Sequence, residues 1–202
     1  MKLWYSNSSP YARKARAVVQ YHQLQDHVEL LLATSGLDKN SPHNLDNPLG
    51  RLPALQENGE WLYNSSLIAE YLDHLATQPS LYGNSETRWE ILRLHYLADG
   101  ILENEISVAP EKHLRPQEQW WLERHQQIFD RTERSLIELK KAIDSFGEEL
   151  NIGTLNAVCA IDFLLFRDAW THASQHATIK SLKAWAEAMN QRYDCLKNTL
   201  PK

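Results

Sequence analysis

The apolar pattern of this chain changes period once, near residue 80, and that change limits the folds open to it. Before it, short alternating or apolar runs interleave with helical spacing; after it, the spacing is helical only. Leu3–Ser6 reads as a strand, Ser6-Asn7-Ser8-Ser9 as a polar turn, and Pro10 to about His22 as a helix with Ala12, Ala15, Val18 and Val19 on one face. Proline favours the first helical position and serine the cap before it. Val28–Leu32 reads as a second strand, 34–50 as a loop rich in Asn, Ser, Pro and Gly, and Pro53–Glu57 as a third strand. Asn58-Gly59 predicts a tight hairpin into Glu60–Tyr63. Ser65 is expected to cap a helix carrying Leu67, Ile68, Tyr71, Leu72 and Leu75.

The order β-α-β, loop, β-β-α allows one parallel pair and one antiparallel hairpin in a single four-stranded, thioredoxin-like sheet covered by helices. Gln78-Pro79-Ser80 and Tyr82-Gly83-Asn84 then interrupt the pattern. The expected division is an α/β domain at 1–78, a linker at 79–86 and an all-helical bundle at 87–202. In the latter, Thr87 to about Val108 and Pro116 to about Phe146 read as long charge-laced helices, and Ser181 to about Arg192 as a shorter amphipathic one. A helix starting at Gly153-Thr154 is apolar nearly all round, through Ala157–Ile161 and Phe163–Phe166, so it is expected to be buried.

Composition narrows the function. Over 202 residues the formal net charge is −5, which argues against a nucleic-acid surface. No apolar run approaches the ~20 residues needed to span a bilayer, and the start at Met1-Lys2-Leu3-Trp4 lacks a leader's apolar stretch, so the cytoplasm is the expected location. Two cysteines, Cys159 and Cys195, form no metal-ligand pair and read as reduced thiols; the histidines show no metal spacing, and no metal is expected.

Three short stretches can carry chemistry. In Ser9-Pro10-Tyr11, a capping hydroxyl accepts a helix N–H and keeps its own O–H to donate. The positive end of the helix lies at the same place. A thiolate set there gains both contributions, and thiolate is the nucleophilic form of sulfur. In Asn47-Pro48-Leu49-Gly50-Arg51-Leu52-Pro53 a turn feeds a strand that starts at a proline. In Tyr63-Asn64-Ser65-Ser66 two serines stand at a second helix start, able to cap it or to hold a carboxylate with backbone N–H groups.

Taken with Asn64-Ser65-Ser66-Leu67-Ile68-Ala69-Glu70-Tyr71-Leu72 and Ala98-Asp99-Gly100-Ile101-Leu102, these stretches make the chain resemble the glutathione transferase superfamily over nearly its whole length. The likeness is to bacterial cytosolic members that open on Ser-Pro-Tyr or Ser-Pro-Phe. It implies a thioredoxin-like domain followed by a helical bundle, glutathione as co-substrate, a homodimer, and a detoxifying transfer of glutathione to a small apolar electrophile. By position, the resemblance gives Ser9 the sulfur of glutathione. It gives Leu52, before a cis Pro53, a backbone pairing with the cysteinyl part, and Ser65 the γ-glutamyl carboxylate. Asn64 stands where the family usually has Glu or Asp, so a charged contact to the γ-glutamyl amine is missing and weaker binding is expected. Asp99 matches an acid that in some relatives reaches glutathione across the dimer. Tyr11, Ile106, His113, Trp121, Phe166 and Trp170 are candidates for the electrophile's surroundings by region only.

A second departure lies at Ala157, where the family often places Asp three residues after the capping Ser/Thr. No reciprocal capping box is therefore expected around Thr154. Two other functions fit the same residues: a serine-site glutathione-dependent peroxidase, and a non-catalytic binding or regulatory protein with this fold. Dithiol chemistry is disfavoured because no cysteine lies near Ser9.

Overall fold

The computed structural model describes residues 1–34, 38–167 and 177–202. Its elements run β1 (Lys2–Tyr5), α1 (Pro10–Tyr21), β2 (Glu29–Leu32), α2 (His43–Asp46), β3 (Ala54–Glu57), β4 (Glu60–Tyr63), α3 (Ser65–His74), α4 (Arg88–Leu114), α5 (Leu122–Phe146), α6 (Ile152–Phe166), α7 (Ala177–Arg192) and α8 (Asp194–Lys197). They sort into two compact units, Met1–Asn84 with Met189–Lys202, and Ser85–Ala188.

In the first unit the strands form one sheet in the order β2-β1-β3-β4. β1 pairs parallel with β2, Leu3 opposite Leu30, and antiparallel with β3, Trp4 opposite Ala54. The β3–β4 hairpin turns at Asn58 (φ 51°) and Gly59 (φ 87°), the left-handed pair that a two-residue hairpin needs. Helices α1 and α3 pack together, with Ala12, Ala15, Val18, Ile68 and Leu72 fully buried. On α3 the buried face is Ser65, Ile68, Ala69, Leu72 and Asp73, whereas Leu67 and Leu75 lie exposed, so the expected stripe is rotated. The expected loop over 34–50 contains the single turn α2; there Trp4 Nε1 donates to Asp46 Oδ2 at 2.7 Å, joining that turn to the sheet.

One buried polar knot ties the end of α1 to α3. His22 Nε2 lies 2.8 Å from Asp73 Oδ1, the Ser80 hydroxyl donates to Asp73 Oδ2 at 2.6 Å, and the Leu81 N–H donates to Oδ1 at 2.8 Å. Burial alone would raise the Asp73 carboxyl, but the hydrogen bonds from His22, Ser80 and Leu81 outweigh it and hold it below its ordinary value. From the other end, residues 189–202 return to α1. The Arg13 guanidinium, almost fully buried, donates to Asn190 Oδ1 at 3.0 Å and to the Leu196 carbonyl at 3.3 Å.

The second unit holds helices and no strand among its described residues, with α4 packed on α5 and α6. α6 is buried on nearly every side, as its apolar run predicts. It passes α4 so closely that a Cβ on Gly153 would lie 2.6 Å from the Ile91 carbonyl oxygen. Its start corrects the expectation about capping. The cap is Asn151, whose side chain accepts from the Thr154 N–H at 2.9 Å, while Thr154 Oγ1 accepts from the Asn151 N–H at 2.9 Å. The reciprocal box is present one turn upstream of where the family comparison looks for it, because a threonine hydroxyl at N3 can serve as a carboxylate does.

Candidate thiol-binding site

The register of the sheet brings the three chemical stretches of the first unit to one end. Trp4 pairs with Ala54 and Ala54 with Tyr63. The turn after β1 (residues 6–9), the residues before β3 (52–53) and those after β4 (64–65) therefore all leave the sheet at the same side.

The first stretch is the start of α1. Ser9 has extended backbone (φ −79°, ψ 119°), Pro10 occupies the first turn, and Ser9 Oγ accepts from the Ala12 N–H at 3.1 Å. The cap falls where the sequence predicts it. Half-buried, the hydroxyl gives its hydrogen to no group among the described residues, so an acceptor set before the helix would receive that O–H within the positive end of α1. Tyr11, two residues on, is half-buried, with Lys14 Nζ 5.8 Å from its ring.

The second stretch is the turn into β3. Asn47 organises it: its side-chain oxygen accepts from Leu49 N–H at 2.9 Å and its Nδ2 donates to the Arg51 carbonyl at 2.6 Å. The Gly50 N–H closes onto the Asn47 carbonyl at 2.9 Å, with φ +59° at Gly50. The Leu52–Pro53 peptide is cis. Pro53 is buried and Leu52 half-buried. Leu52 lies outside the β3 ladder, so its N–H and carbonyl can pair with a peptide laid along it.

The third stretch is the start of α3, and it corrects the expected cap. Asn64, not Ser65, is the capping residue; its backbone is left-handed (φ 74°), which asparagine tolerates better than serine, and its Oδ1 accepts from the Ser66 N–H at 2.8 Å. Ser65 becomes the first helical residue and is buried. With the Ser66 N–H taken by the cap, the neighbouring N–H groups of the first turn are the ones left for an anion. That turn contains no acidic residue.

Lys14, not singled out by the sequence, is fully buried beneath it and donates to Ser66 Oγ at 3.2 Å. A lysine inside a helix reads as a solvated residue, and its partner is 52 positions away. A charged residue five places after a capping serine is the only local trace.

The remaining candidates lie in the second unit. Asp99 is on α4, where its Oδ1 accepts from Asn156 Nδ2 at 2.8 Å and its Oδ2 lies 3.5 Å from His95 Nε2. Ile106 is half-buried on α4; Trp121 is exposed at the start of α5; Phe166 is exposed at the end of α6, with the Arg167 guanidinium 5.5 Å over its ring. His113 falls within α4, but its side chain lies outside the described residues, as does Trp170 altogether. Cys159 is buried in α6. Among the described residues no three His, Cys, Asp or Glu side chains gather as a metal site, and no helix is long and apolar enough to cross a membrane.

Comparison with known proteins agrees with this fold. Residues 8–75 match the domain family described as glutathione S-transferase, N-terminal domain. Among curated proteins, the uncharacterized GST-like protein YibF of Escherichia coli is 28% identical over 182 residues, covering 83% of each chain. A probable glutathione transferase of Aplysia californica is 32% identical over 74 residues, 36% of this chain and 76% of that one. Among solved structures, a glutathione transferase family member of Pseudomonas fluorescens with bound glutathione is 31% identical. It superposes with a TM-score of 0.89, covering 100% of this chain and 98% of that one. A glutathione S-transferase of Methylobacillus flagellatus with bound glutathione gives 27% identity and a TM-score of 0.85, covering 100% and 99%.

Proposed function

The chain belongs to the glutathione transferase family, and on that premise we propose that it joins the thiolate of glutathione to small apolar electrophiles, with Ser9 stabilising the thiolate. The observation that carries the proposal is the Ser9 hydroxyl: it caps α1 through its oxygen and keeps its hydrogen for a sulfur placed before the helix. In the proposal the tripeptide runs from the start of α3 to the start of α1. Ser65 and the free N–H groups of α3 take the γ-glutamyl carboxylate. The Leu52 backbone pairs with the cysteinyl residue, and the sulfur arrives at Ser9. There the thiol loses its proton to solvent more readily, because its anion gains a charge-assisted hydrogen bond and the positive helix end. A carbon–sulfur bond then forms to the electrophile, whose leaving group departs or whose double bond takes up a proton. Holding both reactants in one orientation supplies the rest of the acceleration.

The test is the acidity of bound glutathione, followed by thiolate absorbance against pH. Ser9→Ala should raise the bound thiol pKa by about 1–2, the equivalent of a charge-assisted hydrogen bond of roughly 1.5–3 kcal/mol. Turnover at neutral pH should fall while binding stays largely intact. An unchanged thiol pKa removes Ser9 from this role.

For the electrophile the proposed contacts remain Tyr11, Ile106, His113, Trp121, Phe166 and Trp170. An alanine scan that raises its KM and leaves that of glutathione unchanged would identify them. Asp99 is proposed to add negative charge at the γ-glutamyl end from the partner of a homodimer, which would require it to share its bond to Asn156. Asn64 also favours a second reading, a glutathione-fold binding protein without turnover. Retention on immobilised glutathione with loss of thiol to an aryl halide supports the enzyme; no retention and no turnover favour the partner role.

A further inference from the structure

Edge strands are usually blunted by charge, proline or a covering element, because their outward N–H and C=O groups invite a further strand. β2 stands at one end of the order β2-β1-β3-β4, and its sequence Glu29-Leu30-Leu31-Leu32 carries a single charge. Its bonds to β1 use alternate residues: the Glu29 N–H donates to the Met1 carbonyl at 3.0 Å and the Ala33 N–H to the Tyr5 carbonyl at 2.8 Å. Leu30 and Leu32 fall between these, so their N–H and carbonyl groups turn outward. Their side chains are 43% and 58% exposed, on the face of the sheet that also carries Tyr5, opposite Leu32.

A cation stands over this edge. Lys14 faces α3 through Ser66, and Arg16 lies about 200° further round the helix, on the flank away from α3. Its guanidinium carbon is 4.7 Å from the centre of the Tyr5 ring. The residue is half-buried, and its Nε and Nη1 atoms are buried without a hydrogen-bond partner. Burial holds its pKa below the ordinary value; the charge of Arg13 acts in the same direction and Tyr5 against it. No carboxylate among the described residues pairs with it. A desolvated charge without a counterion is costly, so the place favours an anion supplied from outside.

We infer that β2 and the Arg16 flank of α1 form a docking surface for an extended acidic segment of another protein, taken up as a fifth strand. The outward groups of Leu30 and Leu32 supply the main-chain bonds, and the side chains along one face supply the choice of partner. The added strand runs about 10 Å from β1, a span that a glutamate and an arginine side chain cover together above Leu32. An apolar side chain two places from the glutamate then lies on Leu30. The recognition pattern is therefore an acid and an apolar residue two positions apart. A second copy of this chain does not meet it. When two β2 edges pair antiparallel about a twofold axis, the copy presents Leu30 and Leu32 on this face and Glu29 on the other, and Arg16 stays unmatched.

The probes are the peptide acetyl-Thr-Val-Thr-Glu-Thr-Val-Thr-amide, with an apolar residue two places to each side of its glutamate, and the same peptide with glutamine there. Titration of each into the full chain, followed in amide NMR spectra, reads affinity and place together. The glutamate peptide should bind at least about tenfold more tightly, the gap expected of a charge-assisted contact, and should shift the Leu30 and Leu32 amide signals. Arg16→Met should bring the ratio to about one and leave the glutamine peptide's affinity unchanged. Should Arg16→Met not fold, Leu32→Glu at an exposed position carries the test: it gives Arg16 an internal acid and should also erase the preference. Leu30→Pro removes an outward N–H and should abolish binding of both peptides while leaving the glutathione titration unchanged. Equal affinity for the two peptides, no binding of either at millimolar concentration, or amide shifts away from β2 overturns the inference, and the thiol chemistry proposed above survives each of these results. A dimer in sedimentation that Leu30→Pro alone dissolves also overturns it, by giving the edge to a second copy.

Discussion

The polar knot around Asp73 should dominate the stability of the first unit. Replacing Asp73 with alanine would strand two buried donors, His22 Nε2 and the Leu81 N–H, each now 2.8 Å from a carboxylate oxygen, and free the Ser80 hydroxyl to turn toward water. An unsatisfied buried donor costs about 1–3 kcal/mol, so two cost about 4 kcal/mol together, or a fall in Tm of roughly 8–16 °C for a chain of this size. The pH dependence has a definite sign. The folded Asp73 carboxyl titrates below its ordinary value, so its contribution is fully present above the unfolded carboxyl pKa of about 3.9. It is lost as pH falls through the lower folded value. Urea unfolding followed by circular dichroism at pH 7, 5 and 3 reads this directly. The gap between the parent and Asp73→Ala should be smaller at pH 3 than at pH 5. A cost under about 1 kcal/mol at pH 7, or a gap that widens from pH 5 to pH 3, would refute the assignment of these bonds as the knot's source of strength.

Three further substitutions test the helical unit. Gly153→Ala sets helix propensity, worth about 1 kcal/mol in favour of alanine, against a Cβ that would lie 2.6 Å from the Ile91 oxygen and 3.1 Å from Leu94 Cβ. Overpacking should win by about 1–3 kcal/mol in thermal melts, and a stabilised variant would show that α4 and α6 can part. Asn151→Ala removes the acceptor for the Thr154 N–H and should cost about 1 kcal/mol. Adding Thr154→Val should cost less than the sum of the two single changes, and strict additivity would mean the two bonds do not act as a reciprocal box.

What could be read from sequence was the chemistry that stays local. Ser9-Pro10 announces its cap because both residues act within one turn, and Asn58-Gly59 announces its hairpin because both tolerate left-handed backbone. The cap of α3 was misread by one residue, since Asn64 and Ser65 are both capable of it and only the backbone angle at Asn64 decides. The box at α6 was missed because the pattern sought was an acid at Ala157, while the partners are Asn151 and Thr154. The short turn at α2 leaves almost no periodicity to detect. Lys14, His22 and Asp73 escape for a different reason: the Lys14–Ser66 and His22–Asp73 bonds each span more than fifty positions of the chain, and burial of a polar group has no local signature. The candidates Ser9, Leu52 and Asn64 were visible as separate marks, but their gathering at one end of the sheet follows from the pairing register of β1, β3 and β4.

The return of residues 189–202 to the first unit bears on the order in which the protein is made. Strands β1 to β4 and helices α1 and α3 leave the ribosome first, yet the acceptors for the buried Arg13 guanidinium, Asn190 and the Leu196 carbonyl, emerge only after the whole helical unit has been synthesised. Domains generally fold as units from the N-terminus during synthesis. Here two bonds of the helix that carries Ser9 can form only when the C-terminal residues arrive, so the first unit is begun first and finished last.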